Sequence, residues 1–285
     1  MNILLAQRAE QSAPEGSWEE LLVAHNPVLN NLVGDQRRTA QLMLDAQPRV
    51  VFMQAPPGTG KTKTSADIIA AYLRENPEAR ALVLLLSMWL WPKQLKKWHV
   101  PWKGQVGGKK CLLFFQVPVN KNMHRIGKNW RSSLASAISA PQLFETWTIT
   151  EKCGQSVAQL LLSKEKRRLI FCTLALAEQI GGIFEDTTMV VCDEGGQAPF
   201  SQLLSALTNF PKLTKLLIAG DRRQLSVHLE EFPEAVRNGL GLDTIIWNLD
   251  MSPGVDKTTL ETNYRSHPAL TECIQAGAYA LMVND

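Results

Sequence analysis

The sequence has no apolar run long enough to cross a membrane: the longest, residues 81–91, covers 11 residues and is broken by Ser87, against the ~20 that a spanning helix needs. It has no cysteine pair at C-x-x-C spacing, no H-E-x-x-H and no cysteine and histidine set at zinc-finger spacing, so neither a structural metal nor a disulfide framework is expected. The five cysteines, Cys111, Cys153, Cys172, Cys192 and Cys273, are odd in number and widely scattered. They read as buried, reduced thiols of a cytoplasmic or nuclear protein. The first residues carry no basic leader, and no secretory signal is expected. With 45% hydrophobic and 20% charged residues, and glycine and proline spread along the chain, a disordered or low-complexity chain is excluded.

The net charge of +3 is too small to name a partner, but it is unevenly placed. Residues 88–150 hold ten basic side chains, among them Lys93, Lys96 and Lys97, against the single acid Glu145, and six of the eight tryptophans. Cations interleaved with flat rings suit single-stranded nucleic acid, the cations meeting phosphates and the rings meeting base faces. The same composition fits an insert whose tryptophans form its own small core, or one whose surface docks a protein partner. These readings stay open on this segment alone.

Short apolar or β-branched runs at 49–53, 81–86, 169–172, 189–192 and 216–219 alternate with helical segments. Their near-continuous hydrophobicity predicts strands covered on both faces, hence a mostly parallel α/β sheet. After the first run, Ala66, Ile69, Ala70 and Leu73 fall at i, i+3, i+4 and i+7, the stripe of a helix. In such sheets ligands bind at the carboxyl ends of strands.

The first run ends in Ala55-Pro56-Pro57-Gly58-Thr59-Gly60-Lys61-Thr62. Between a strand and a helix, that pattern predicts a loop whose backbone N–H groups, with Gly58, Thr59 and Gly60, wrap phosphate oxygens; Lys61 neutralises the β and γ phosphates and the Thr62 hydroxyl ligates Mg²⁺. Ala55 stands where such loops carry glycine, and it fits if its φ is negative. The fourth run ends in Asp193-Glu194. Opposite a phosphate loop, Asp193 can hold the Mg²⁺ and Glu194 can accept a proton from attacking water. The fifth run leads into Gly220-Asp221-Arg222-Arg223-Gln224, which sets an amide near the γ-phosphate position.

Together these motifs resemble the superfamily-one helicases, and within them the senataxin and nonsense-decay-helicase branch. Asp193-Glu194-Gly195-Gly196-Gln197 is similar to that family's D-E-A-x-Q, and Gly220, Asp221, Gln224 and Leu225 match its G-D-x-x-Q-L. The stretch from Leu29 to Gln36 resembles its L-N-x-x-Q element, and Leu260-Glu261-Thr262-Asn263-Tyr264-Arg265-Ser266-His267-Pro268 resembles the opening of its second RecA-like domain. The resemblance implies that Gln36 reads the adenine edge, that Tyr264 stacks on the adenine, that Gln224 and Arg265 face the γ-phosphate, and that Thr173 touches the nucleic-acid backbone. It implies ATP and Mg²⁺ as cofactors and single-stranded nucleic acid as partner, RNA or DNA, with RNA the expectation.

The chain departs from the family in carrying Ser87-Met88-Trp89 where a small polar motif normally follows the second strand. The expected organisation is an N-terminal extension (1–28), a RecA-like phosphate-loop domain (29–250) with the basic, Trp-rich insert (88–150), and an incomplete start of a second RecA-like domain (251–285). The expected function is an ATP-dependent helicase or ribonucleoprotein-remodelling ATPase. The alternatives are a nucleotide-dependent nucleic-acid-binding module without significant turnover, and an ATPase acting on protein partners.

Overall fold

The computed structural model describes residues 27–85, 110–116, 144–149, 167–224, 232–246, 249, 252–277, 279 and 283–284. Its strands are β1 (Arg49–Gln54), β2 (Arg80–Leu85), β3 (Lys110–Gln116), β4 (Phe144–Ile149), β5 (Arg167–Thr173), β6 (Thr187–Asp193), β7 (Lys215–Gly220), β8 (Asp256–Thr259), β9 (Thr262–Asn263) and β10 (Val283–Asn284). The helices are α1 (Gly34–Leu44), α2 (Lys61–Glu75), α3 (Leu174–Ile180), α4 (Phe200–Leu207), α5 (Glu234–Leu240) and α6 (Pro268–Gly277). Eight strands form one sheet in the order β4-β3-β5-β2-β6-β7-β1-β8, with every pairing parallel. The α/β class and the five expected strands are all present. Among the described residues no helix is long and apolar enough to cross a membrane.

Successive side chains of a strand point to opposite faces, and both faces here are covered. Val51, Met53, Val83, Leu85, Val191 and Leu217 face a core closed by α1 and α2. Val50, Phe52, Leu82, Leu84, Val190 and Ile218 face another, closed by α3 and α4. Each such fully buried aliphatic or aromatic side chain contributes about 1.5–3 kcal/mol. The stripe Ala66, Ile69, Ala70 and Leu73 is buried, and so are Ile68, Ala71 and Tyr72. The helix is therefore covered on more than the one face that the periodicity marks, because α1 and the short 3-10 turn Pro27–Asn31 pack against it as well as the sheet.

Two results go beyond the expectation. Within the basic segment, β3 and β4 add two strands to the sheet edge beyond β5; the rest of 88–150 lies outside the described residues, as do Lys93, Lys96 and Lys97. Past the expected boundary near 251–254, β8 joins the same sheet beside β1. Cys172 and Cys192 are buried as expected, and burial pushes the Cys192 thiol up to about 12. Cys273 is instead exposed, because α6 buries only Thr271.

At the amino ends of the strands, Lys215, Arg49 and Asp256 open the neighbouring strands β7, β1 and β8. Arg49 donates to Asp45 and to Asp256, the latter at 3.0 Å. Lys215 donates to the carbonyls of Asp45 and Gln47, which closes the end of α1 onto the sheet.

Candidate functional site

Strands β6, β7 and β1 are neighbours, with Asp193 level with Ala219 and Gln54 level with Gly220. Their carboxyl ends therefore form one rim. Because β1 and β2 are consecutive in sequence but separated by β6 and β7, the rim opens a crevice of the kind in which α/β sheets hold ligands.

The loop after β1 is held by its own bonds. The Ala55 N–H donates to the Gly220 carbonyl at 2.8 Å, and the Thr59 hydroxyl donates to the Pro56 carbonyl at 2.8 Å. Gly58 and Gly60 take φ of +88° and +82°, a left-handed conformation that side chains disfavour. Ala55 is not among the residues of positive φ, so alanine fits that position. Gly60 immediately precedes the 15-residue α2, whose N-terminus aims free N–H groups and a partial positive charge at the crevice.

Lys61 Nζ lies 2.6 Å from Glu194 Oε2 and 3.8 Å from Asp193 Oδ1. The Thr62 hydroxyl donates to Asp193 Oδ2 at 3.5 Å. One ammonium thus faces two carboxylates, Asp193 at 1% exposed and Glu194 half-buried, and Asp193 Oδ1 also accepts from the Glu194 N–H at 3.1 Å. A hydroxyl and a carboxylate side by side are the hard oxygen donors that suit Mg²⁺. The donor set and the glycine cradle therefore fit a magnesium nucleotide. Glu194 has φ 60° and ψ 36°, the only positive φ of a non-glycine residue among those described. Strain of this kind concentrates at functional positions.

Gln36 is 7% exposed. Its Nε2 donates to the Thr59 carbonyl at 3.1 Å and its Oε1 accepts from the Val33 N–H at 3.4 Å, so it spans from the start of α1 to the phosphate loop. β8 brings the downstream segment to the same rim: the Leu260 N–H donates to the Gln54 carbonyl and the Tyr264 N–H to the Gly58 carbonyl, both at 2.9 Å. Asn263 Oδ1 accepts from the Arg265 and Ser266 N–H groups and occupies the space where a Gly58 side chain would begin, 2.6 Å from an ideal Cβ. Tyr264 is 44% exposed, and its ring edge lies 3.9 Å from an ideal Gly60 Cβ. Arg265 is exposed.

Gln224 is half-buried in the turn after β7, its N–H donating to the Asp221 carbonyl at 3.3 Å. Thr173 is half-buried at the carboxyl end of β5, level with Leu85 of β2. Lys61, Thr62, Asp193 and Glu194 thus meet directly. Gln36, Tyr264 and the loop meet beside them, and Gln224 and Thr173 stand on the same rim. Asp221 and Asn263 fall in the motifs quoted above but drew no role there, and Gln54 falls in none of them; the β1–β8 pairing is what brings Asn263 to the loop.

No known family profile matches the chain. A curated relative from Danio rerio described as "Probable helicase with zinc finger domain" is 25% identical over 267 residues, 90% of this chain. The chain spans 13% of that relative's length. Among solved structures, the UvsW helicase from bacteriophage T4 aligns with 80% of this chain and 59% of its own at 11% identity and a TM-score of 0.42. The Hef helicase domain of Pyrococcus furiosus aligns with 81% of this chain and 38% of its own at 15% identity and the same TM-score of 0.42. In sequence, the likeness to a helicase is the one to the Danio rerio relative.

Proposed function

We propose that this chain is the nucleotide-hydrolysing core of a nucleic-acid helicase or ribonucleoprotein-remodelling ATPase acting on single strands, RNA before DNA. The observation that carries this reading is the Lys61–Glu194 ion pair at 2.6 Å beside the buried Asp193, on the rim where α2 begins. Lys61 and the loop amides bind the β and γ phosphates, and the Thr62 hydroxyl and Asp193 carboxylate hold Mg²⁺. Bound Mg²⁺ supplies charge neutralisation at the phosphate oxygens. Glu194 accepts the proton of the attacking water, Gln224 and Arg265 face the γ-phosphate side, and Gln36 and Tyr264 border the base. Thr173 and the lysines of 88–150 bind the strand's phosphates.

The test is phosphate release from ATP by the purified chain. Hydrolysis that requires Mg²⁺ and is stimulated by single-stranded oligonucleotide is expected, with RNA and DNA arms ranking the two. A chain that neither binds nor hydrolyses ATP overturns the reading.

A further inference from the structure

The segment after β8 touches the rim twice, and the second contact has no part in the reading above. At its near end Asn263 and Tyr264 sit on Gly58. At its far end, past α6, the Tyr279 hydroxyl donates to Asp221 Oδ2, and the Arg223 guanidinium lies over the Tyr279 ring, 5.3 Å from its centre. Tyr279 is one of three tyrosines in the chain. Its N–H donates to the Ile274 carbonyl at 3.1 Å, so it is wound onto the last turn of α6 and that helix fixes its place.

Asp221 is 2% exposed. Its Oδ1 accepts from Gln54 Nε2 at 2.7 Å and from the Arg223 N–H at 3.0 Å, and Gln54 Oε1 accepts from the Arg222 N–H at 3.1 Å. The turn that carries Gln224 is thus tied to β1, the strand of the phosphate loop, on one side and to α6 on the other. A buried carboxylate stripped of a partner is costly, so the phenol is a needed third donor. Burial, and then the bond to Asp221, push the Tyr279 phenol far above its ordinary range, which keeps the proton on that donor.

We propose that Tyr279 is a positioning residue: through Asp221 it fixes the 221–224 turn and hence the stance of Gln224 toward Lys61 and Glu194. The ten residues of α6, ~15 Å of stiff helix, then form a strut with one foot on the phosphate loop and the other on the γ-phosphate turn. The inference rests on the nucleotide reading above and adds to it a route by which movement at Tyr264 and Arg265 reaches Gln224.

Tyr279→Phe keeps the ring over Arg223 and removes only the hydroxyl. With the 285-residue chain, competition titrations of Mg²⁺–ADP and a non-hydrolysable Mg²⁺–ATP analogue separate the γ-phosphate from the rest of the nucleotide. Loss of about tenfold in analogue affinity, the scale of one hydrogen bond, is expected with ADP affinity unchanged. Gln224→Ala should do the same, and the double variant should bind no more weakly than either single one. A merely structural bond would instead lower both affinities together with the melting temperature, and that result overturns the proposal. Full analogue affinity in Tyr279→Phe beside a loss in Gln224→Ala also overturns it, while leaving the nucleotide reading intact. Lys61→Ala binding both nucleotides like the parent overturns the reading and the strut with it.

Discussion

Gly195 and Ile218 share one space: a Cβ on Gly195 would stand 2.6 Å from Ile218 Cγ2. The position after the Asp193-Glu194 pair, alanine in the family that the motifs resemble, is therefore closed to alanine here by a methyl group of β7. Gly195→Ala should destabilise the fold by about 1–3 kcal/mol, the usual cost of overpacking, read as a lower urea midpoint. Adding Ile218→Leu, which removes the methyl on Cβ, should recover most of the loss; a neutral single substitution would show that the strands yield.

Lys61→Ala and Glu194→Gln should differ in kind. Lys61 is the cation beside the loop, so its loss should weaken fluorescent-nucleotide binding by tenfold or more, on the order of a charge-assisted contact. Glu194→Gln keeps the shape and removes the carboxylate proposed as the base, so binding should persist while hydrolysis falls by about 10²-fold or more. Equal effects of the two substitutions on binding would contradict the separate roles.

Lys215 gives stability a pH dependence of defined sign. Burial lowers its amine from 10.5 to about 8, so between those values the unfolded chain binds more protons than the folded one. Stability contributed at this site is lowest below about pH 8 and rises as pH increases toward 10.5. Unfolding free energies of the parent and Lys215→Met, compared across that window, should show the extra upward slope in the parent alone. Parallel curves would remove Lys215 as the cause.

The basic segment should give sequence-independent affinity for single strands that falls steeply with salt, since phosphate contacts release counterions. Anisotropy of a labelled oligonucleotide over a salt series measures it. Replacing Lys93, Lys96 and Lys97 together by Glu should weaken binding and flatten the slope. Unchanged affinity would favour a protein-docking or purely structural segment.

The central strands are legible in the sequence because each is a short run of Val, Ile, Leu or Phe that both cores require. β8 is not: Asp256-Lys257-Thr258-Thr259 has no apolar residue, and its place beside β1 is set by pairing and by the Thr258 hydroxyl bonded to Thr39 at 2.7 Å. The phosphate loop and the Asp193-Glu194 pair are legible because their chemistry is local to a few consecutive residues. The Gly195 and Ile218 fit, the left-handed Glu194 and the bond from Tyr279 to Asp221 are not, because each depends on chain segments that only the folded sheet brings together.

The eight strands of the main sheet run the same way, so the molecule has a working edge and a holding edge. Lys61, Asp193 and Asp221 stand at one; Asp45, Arg49, Lys215 and Asp256 stand at the other. β1 is six residues long, which at ~3.3 Å per residue sets the edges ~20 Å apart, beyond the distance at which substitutions usually interfere. The contacts of Asp45, Arg49, Lys215 and Asp256 can therefore drift, or be tuned by hand, while the rim that carries Lys61 and Asp193 stays where it was.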